Sequence, residues 1–187
     1  KLILKQSKVL KNKINFNLVN ENDVINKKNK LKKINLINVD LKQNKAFDKI
    51  SSKSNKYISS CFKIALRLIK KDVSNKLING PISKQTFLKN KFNGITEYLA
   101  KKTNTQNFAM LIYNKNLSVS PISTHIPIKK ISNFITKSKI ERQVKLIKKF
   151  YISNFKKNPK IAITGLNPHC ESNFEDNEEQ KVIIPTI

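Results

Sequence analysis

Apolar residues recur at helical spacing among polar ones over much of the middle of the chain. Between residues 56 and 72, apolar side chains recur every three or four positions, and Lys63 and Arg67 are among the residues on the opposite face. This pattern predicts an amphipathic helix packed on a sheet. Similar stripes, the first capped by Ser83, predict helices over residues 83–90, 96–103, 128–135 and 140–155, with a break at residues 136–138 between the last two.

Short runs of β-branched and apolar residues predict strands between these helices. Residues 160–164 follow Pro159 and stop at Gly165, and residues 76–79 stop at Gly80. A hairpin is predicted for residues 108–113 and 117–119, and another short strand for residues 33–39 within the less regular first 55 residues. Helices that alternate with strands are typical of an α/β layer structure, here with a mixed sheet.

The two histidines of the chain both follow a predicted strand. His125 follows residues 117–124, and His169 follows the strand that stops at Gly165. In open α/β sheets, ligands bind at the edge formed by the carboxyl ends of the strands. His125 and His169 are therefore candidates for one shared site.

The residue types near the histidines allow a metal site but do not complete one. Neutral imidazole is the commonest ligand of borderline divalent metals, and a catalytic site usually has about three protein ligands. An acidic run is more often a solvated loop or a helix start, but here it could also supply a carboxylate ligand. Spacing alone leaves open both a metal site and two unrelated loop histidines. The acidic residues after His169 are Glu171, Glu175, Asp176, Glu178 and Glu179.

The formal net charge of +26 raises the question of a polyanionic partner. Of the 38 basic residues, only Arg67 and Arg142 are arginine, the side chain that binds phosphates and bases in bidentate fashion. The lysines are spread along the whole chain and accompany abundant asparagine and isoleucine, the residues that AT-rich codons specify. We interpret the charge as codon bias on solvated faces. A basic nucleic-acid-binding module is the alternative from a different class.

Length and cysteine content favour an ordinary globular protein. The 187 residues allow a sizeable core, and neither Cys61 nor Cys170 belongs to a disulfide framework or a paired metal-ligand spacing. Cys170 could bind a metal through its thiolate, but an incidental loop cysteine is the simpler interpretation. The sequence shows no signal peptide and no apolar run of membrane-spanning length. We therefore predict a soluble, cytoplasmic protein in a reducing compartment, with no membrane partner.

Several motifs occur in the order and spacing of one enzyme family. They are Gly80-Pro81-Ile82-Ser83-Lys84, Phe92-Asn93-Gly94-Ile95-Thr96-Glu97-Tyr98-Leu99-Ala100, Ser123-Thr124-His125-Ile126-Pro127-Ile128-Lys129, Gly165-Leu166-Asn167-Pro168-His169, Glu178-Glu179 and Ile184-Pro185. On these motifs the chain resembles the 4-hydroxythreonine-4-phosphate dehydrogenase family of pyridoxal 5'-phosphate biosynthesis. The resemblance is good over residues 77–187 and loose over residues 1–76.

The resemblance implies a fold, an activity and a set of site residues. The implied fold is a three-layer α/β/α arrangement with a mixed sheet, similar to the isocitrate and isopropylmalate dehydrogenases. The implied activity is an NAD-dependent and divalent-metal-dependent oxidation and decarboxylation of 4-(phosphooxy)-L-threonine to 3-amino-2-oxopropyl phosphate and CO2. His125 and His169 match the first two histidines that hold the family's metal (zinc, magnesium or cobalt), and Thr96 matches a threonine that contacts the phosphorylated substrate. The third histidine is expected from the other subunit of a homodimer, with the site at the interface.

Two departures from the family pattern affect the site. Ile95 stands where the family commonly has histidine, and isoleucine cannot donate a hydrogen bond. A related dehydrogenase that acts on another phosphorylated hydroxy acid, a phosphothreonate or phosphoerythronate, is therefore an alternative. After His169, Cys170-Glu171-Ser172 replaces a glycine-rich Ala-Gly-Glu-Gly, and Glu171 would serve as the family's glutamate after a one-residue deletion.

The resemblance also predicts how the chain is organised. Residues 1–76 correspond to a poorly matched amino-terminal part of the α/β domain, and residues 77–187 to the central part with the substrate- and metal-binding motifs. The family's glycine- and proline-rich amino-terminal motif and its carboxyl-terminal part, with the third histidine and most NAD-binding residues, are not in this sequence. We therefore predict a fragment of the enzyme that is inactive alone.

Overall fold

The computed structural model describes residues 2–26, 34–170 and 173–187, which form an α/β protein. The contacts divide the chain into two compact units, Lys1–Ile95 and Thr96–Ile187. Shorter helical turns are 3-10 helices at Ser52–Ser54, Ile128–Lys130 and Ile184–Thr186 and a π-helical turn at Glu179–Ile183. The helices are α1 (Leu2–Val9), α2 (Glu21–Ile25), α3 (Asn55–Lys70), α4 (Lys84–Leu88), α5 (Ile95–Lys102), α6 (Ile131–Phe134) and α7 (Lys137–Phe155), and the strands are β1 (Phe16–Val19) and β2 (Ile34–Ile37).

The sheet of the first unit contains β1 and β2 in parallel. Phe16 pairs with Ile34 and Val19 pairs with Ile37, so the four residues of each strand are in register. The strand predicted over residues 33–39 is thus confirmed for Ile34–Ile37, while Lys33 lies outside the described residues. A parallel pair requires a crossover connection, which here includes α2.

The helices predicted from residue 56 onward are confirmed, with the 128–135 stripe divided between the 3-10 helix Ile128–Lys130 and α6, whereas α1 and α2 were not predicted. The stripe at residues 56–72 forms α3, and Ser83 caps α4 by accepting a hydrogen bond at its Oγ from the Thr86 N–H at 3.3 Å. Thr136 caps α7 in the same way, with the Lys139 N–H as donor at 3.4 Å, and this cap marks the predicted break before the long helix. Local spacing and capping residues were sufficient to predict these helices.

Two predicted strands are not strands in the structure. Residues 76–79 and 160–164 are extended or irregular, with no strand assigned to either. Ile78 has 95% of its surface exposed and Ile161 39%, so neither run is covered as a central strand would be. An apolar β-branched run predicts an extended backbone, but a strand also needs a neighbouring strand with which to exchange hydrogen bonds. The predicted hairpin is reduced to one antiparallel bridge, Ile112 with Val119, whose two N–H···O distances are 2.8 and 3.0 Å.

Each unit has its own buried residues. In Lys1–Ile95, Phe62 of α3 and Leu88 of α4 are buried, and the Phe62 ring stacks on Phe87 with centroids 6.0 Å apart. In Thr96–Ile187, α7 packs against the 3-10 helix Ile184–Thr186. The buried apolar residues of this second unit are Tyr98, Ala100, Ile140 and Ile183. Within residues 2–26, 34–170 and 173–187, each helix is too short or too polar to span a lipid bilayer.

Candidate functional site

The predicted site residues all belong to the unit Thr96–Ile187. Thr96 is the second residue of α5, His125 lies in the segment between the Ile112–Val119 bridge and the 3-10 helix Ile128–Lys130, and His169 lies in the turn that follows Gly165. All three side chains are exposed. Each is therefore accessible to a ligand.

His125 occupies a backbone conformation that few residues adopt. Its φ angle is 56°, in the left-handed region, which costs a non-glycine residue about 1–2 kcal/mol. Two residues later, Pro127 forms the N-cap of the 3-10 helix Ile128–Lys130 with a φ of −56°. The sequence points to Pro127 as the restraint on this loop, and the structure adds a strained position at the histidine itself. Strain of this kind is common where a side chain must be aimed for function.

The segment before His125 is fastened to helix α7 by neutral side chains. The Gln143 amide donates to Ser120 Oγ at 2.7 Å and to the Pro121 carbonyl at 2.9 Å. About two helical turns further along α7, the Tyr151 hydroxyl donates to Ser118 Oγ at 2.8 Å. Helix α7 thus holds the segment at three points before it reaches His125.

The turn that carries His169 is organised by Asn167. The Asn167 Oδ1 accepts the His169 N–H at 3.0 Å, and the Asn167 carbonyl accepts the Cys170 N–H at 3.0 Å. A side-chain oxygen that accepts the N–H two residues later forms an Asx turn. Cys170 completes the turn with a φ of 56°. Asn167 therefore fixes the backbone on both sides of His169.

A buried glutamate holds the other side of this turn. Glu179, at the start of the π-helical turn Glu179–Ile183, has only 4% of its surface exposed. Its Oε1 accepts hydrogen bonds from the backbone N–H groups of Leu166 and Asn167, both at 2.8 Å. These hydrogen bonds, above all the one from Asn167, lower the pKa of the Glu179 carboxyl, while burial opposes them. Glu179 is thus held as a carboxylate against the loop.

The residue two positions earlier supports Glu179. Asn177 is also buried, and its Oδ1 accepts the Gln180 N–H at 2.8 Å. Its Nδ2 donates to the Phe174 carbonyl at 2.7 Å. Asn177 therefore fixes the start of the turn from which the Glu179 side chain projects.

Gly165 is needed because the turn folds back onto it. A Cβ atom at Gly165 would lie 2.8 Å from Cys170 Sγ and 3.2 Å from both the Asn167 carbonyl oxygen and Cys170 Cα. The first contact could relax by rotation of the cysteine side chain, but the other two are with backbone. The glycine therefore permits a turn tight enough to present His169.

Two of the acidic residues after His169, Glu179 and Asp176, have structural roles. Glu179 is occupied by the two loop N–H groups, and Asp176 pairs with Lys181, which lowers the Asp176 pKa. Glu171 lies outside the described residues. Spacing alone did not identify the role of Glu179, and the only sequence signal for it was the Glu178-Glu179 motif. Nothing in the sequence singled out Gln143.

The donor set of the chain fits part of a metal site. The exposed imidazoles of His125 and His169 are suitable ligands for zinc or cobalt. Within the described ranges, which omit residues 27–33 and 171–172, no three histidine, cysteine or acidic side chains gather closely enough to hold a metal. A complete site built on these two histidines would need a further ligand from outside the described residues.

A surface cavity of about 380 Å³ lies along helix α7. Two of its charged groups are partly satisfied within the chain, because Lys145 pairs with Glu141 at 3.5 Å and Arg142 donates to Ser138 Oγ at 3.3 Å. The cavity is therefore of mixed charge. It is lined by Asn107, Ser138, Glu141, Arg142, Lys145, Leu146 and Lys149.

The chain is similar in sequence to curated proteins that are named as dehydrogenases. The 4-hydroxythreonine-4-phosphate dehydrogenase of Sulfurihydrogenibium sp. is 38% identical over 170 residues, which cover 89% of this chain and 51% of that protein. The D-threonate 4-phosphate dehydrogenase of Pectobacterium atrosepticum is 29% identical over 130 residues, which cover 68% of this chain and 40% of that protein. The chain thus spans about half or less of the length of these relatives.

Solved structures show the same fold. A 4-hydroxythreonine-4-phosphate dehydrogenase from Klebsiella pneumoniae superposes with a TM-score of 0.75 at 22% identity, covering 94% of this chain and 55% of that one. The enzyme from Burkholderia phymatum gives a TM-score of 0.75 at 20% identity, covering 99% of this chain and 57% of that one. A family model described as "Pyridoxal phosphate biosynthetic protein PdxA" matches residues 1–187. The chain therefore belongs to the family of pyridoxal phosphate biosynthetic protein PdxA.

Proposed function

We propose that this chain is part of an NAD-dependent and divalent-metal-dependent dehydrogenase of pyridoxal 5'-phosphate biosynthesis. It would oxidise and decarboxylate 4-(phosphooxy)-L-threonine to 3-amino-2-oxopropyl phosphate and CO2. The proposal rests on the family match over residues 1–187. It is supported by the hydrogen-bonded turn around His169, which lies in one of the motifs that the chain shares with the family. Relatives that match this chain are named for this activity.

The two histidines would be metal ligands in this reaction. Both imidazoles are exposed and lie on backbone segments held by hydrogen bonds from neighbouring elements. A zinc, magnesium or cobalt ion held there would supply Lewis-acid stabilisation of the alcohol oxygen and of the charge left by decarboxylation, and NAD would supply the hydride acceptor. The part of the protein is to fix the direction of His125 and His169 before the ion arrives.

Thr96 would contact the phosphorylated substrate. Its side chain is exposed in the first turn of the eight-residue helix α5, and a helix amino terminus attracts anions because its N–H groups lack helical partners. Glu97 in the same turn is negatively charged, which disfavours a phosphate group close to it. The threonine hydroxyl would therefore provide orientation as well as a hydrogen bond.

The surrounding architecture is part of the proposal. We infer a three-layer α/β/α fold with a mixed sheet, similar to the isocitrate and isopropylmalate dehydrogenases, in which residues 1–76 belong to the amino-terminal part and residues 77–187 to the central part. We also infer a homodimer with the site at its interface, since two histidines from this chain leave the metal short of ligands.

A second substrate class is favoured by one residue. Ile95, half-buried at the start of α5, stands where the family commonly has a histidine, so a hydrogen bond to the substrate would be lost at that point or supplied from elsewhere. A phosphothreonate or phosphoerythronate that needs no such donor would suit this site. The matched relative from Pectobacterium atrosepticum is named for D-threonate 4-phosphate.

The test is an assay of NADH formation by the natural full-length protein. Each substrate would be supplied with NAD and one divalent metal, and His169→Ala and His125→Ala would be compared with Gln106→Ala, an exposed polar residue in the same unit. We expect each histidine variant to lose more than about a hundredfold in kcat/KM, beyond the range seen on removing outer-shell partners of metal sites. Wild-type protein that turns over neither substrate, or histidine variants as active as Gln106→Ala, would contradict the proposal.

A further inference from the structure

The strongest feature outside the predicted site residues is the carboxylate of Glu179. Burial of a charged side chain is costly unless the charge is paired or hydrogen-bonded. Glu179 has 4% of its surface exposed, and its Oε1 accepts two hydrogen bonds of 2.8 Å. Its position is therefore determined by those contacts and by the packing around it.

The two donors are consecutive backbone N–H groups. The Leu166 N–H belongs to the Gly165–Leu166 peptide unit and the Asn167 N–H to the Leu166–Asn167 unit, so two hydrogen bonds to one oxygen fix the relative orientation of two successive planar peptide units. Charge-assisted bonds of this kind are roughly twice as strong as neutral ones. The turn is therefore fixed at its entrance.

From Asn167 the restraint continues to the histidine. The Asn167 Oδ1 accepts the His169 N–H at 3.0 Å, and the Asn167 carbonyl accepts the Cys170 N–H at 3.0 Å. The series of contacts runs from Glu179 to the backbone of Asn167 and then to the backbone of His169. Glu179 touches neither imidazole in this series, so it acts on the site through the turn.

We propose that Glu179 is a positioning residue that aims His169 at the metal by holding the two successive peptide units Gly165–Leu166 and Leu166–Asn167. The inference rests on the proposed function in taking His169 as a metal ligand. It adds a residue that the family resemblance gives no role, on an element that follows the histidine by ten positions. Partners that orient metal ligands typically change metal affinity by about 10–100-fold when they are removed.

The test is a double-mutant cycle on metal affinity in the natural full-length protein. Co²⁺ binding would be measured by calorimetric titration for wild type, Glu179→Ala, His169→Ala and the double variant. We expect Glu179→Ala to weaken Co²⁺ binding by about 10–100-fold and to have little further effect on the weak Co²⁺ binding that remains once His169 is alanine. A glutamate that supports only the general fold would weaken binding equally in both backgrounds, and that outcome would overturn the inference.

Two further variants separate positioning from folding. Glu179→Gln keeps an acceptor oxygen without the charge and should fall between wild type and Glu179→Ala. Glu141→Gln makes the same chemical change at the exposed ion pair with Lys145 and should bind Co²⁺ as wild type does. Hydrogen exchange of the Leu166 and Asn167 amides should accelerate in Glu179→Ala by at least about tenfold while amides of α7 keep their protection. Unchanged exchange at these two amides would also overturn the inference.

Measurements of Co²⁺ affinity and of NADH formation on the same protein distinguish this inference from the proposed function. Co²⁺ bound through His169 with no NADH formed from either substrate would refute the dehydrogenase and leave the role of Glu179 standing. Normal turnover with Co²⁺ affinity unchanged in Glu179→Ala would refute the role of Glu179 and leave the dehydrogenase. Co²⁺ affinity unchanged in His169→Ala would refute both.

Discussion

The segment before His125 and the turn around His169 belong to the same unit but are held by different chemistry. Neutral groups of a long helix hold the first, where Gln143 donates to Ser120 and to the Pro121 carbonyl. A buried carboxylate holds the second, where Glu179 accepts two backbone N–H groups. The neutral anchor couples its segment to helix α7, whereas the charged anchor acts within one turn and depends on its ionisation.

This difference predicts which part of the unit each substitution should destabilise. Loss of the Gln143 contacts affects a segment that α7 also contacts through Tyr151. Such a loss should therefore lower the free energy of unfolding of the whole unit. Loss of the Glu179 contacts should loosen mainly the His169 turn. The variants below test that contrast, from the largest expected effect to the smallest.

Gly165→Ala should cause the largest loss of stability. The new Cβ would lie 3.2 Å from two backbone atoms of the turn and 2.8 Å from Cys170 Sγ, so the turn must open. Forcing an extra carbon into a filled site costs about 1–3 kcal/mol. The free energy of unfolding, measured by urea titration, should fall by this amount.

Gly80→Ala is the matched control. No atom lies within 4 Å of a Cβ placed there, and the glycine does not have a positive φ. It should leave the free energy of unfolding unchanged or raise it by about 0.4–1 kcal/mol, because alanine lowers the conformational entropy of the unfolded chain. Equal losses at Gly165 and Gly80 would mean that the turn around His169 is not closely packed.

Gln143→Ala should destabilise the other anchor. It removes two side-chain hydrogen bonds, each worth about 0.5–1.5 kcal/mol in net terms, so a loss of about 1–2 kcal/mol in the free energy of unfolding is expected. Gln85→Ala, at an exposed position of helix α4, should change it by no more than about 0.5 kcal/mol. A Gln143 variant as stable as the Gln85 variant would show that α7 does not hold the His125 segment.

Tyr151→Phe should have a smaller effect at the same anchor. It deletes only the hydroxyl that donates to Ser118 Oγ at 2.8 Å and keeps the ring, whose centroid lies 5.4 Å from that of Phe155. A loss of about 0.5–1.5 kcal/mol is expected. Combined with Gln143→Ala the losses should not add, because both side chains hold one segment, and strict additivity would argue against a shared anchor.

The pH dependence should be the smallest effect and should separate the two anchors. The folded-state pKa of Glu179 is lowered by the loop N–H groups, so its contribution is present above the pKa of the unfolded chain and is lost as the pH falls through the lower folded pKa. Burial partly cancels this lowering. Stability of wild type relative to Glu179→Gln should therefore decline in mild acid below about pH 4.3. A constant difference across that range would contradict an ionised anchor.

The helices from residue 56 onward were predictable from sequence because each depends on local spacing and on its own caps, whereas α1 and α2 were not predicted. Residues 56–72 predicted α3 and Ser83 predicted the start of α4, while the break predicted over residues 136–138 is limited to its first residue because α7 begins at Lys137. The strands were less predictable because a strand depends on a partner far away in sequence. Residues 160–164 have the residue types of a buried strand and yet are not assigned as one.

Only the part of the site that can be recognised from residue type alone was predictable from the sequence. Histidines are conspicuous in a chain that has two, so His125 and His169 could be proposed at once. Their anchors could not, because glutamate and glutamine are ordinary surface residues and their roles arise from contacts 12 to 23 positions away. The left-handed backbone at His125 is likewise a consequence of the fold rather than of a local motif.

The central claim, that His125 and His169 hold one metal ion, is tested most directly by counting Co²⁺ ions per chain in the natural full-length protein and in both alanine variants. The account predicts one tightly bound ion in the wild type and its loss in His125→Ala and in His169→Ala alike. Two ions, one lost in each variant, or one ion kept in either variant would contradict it.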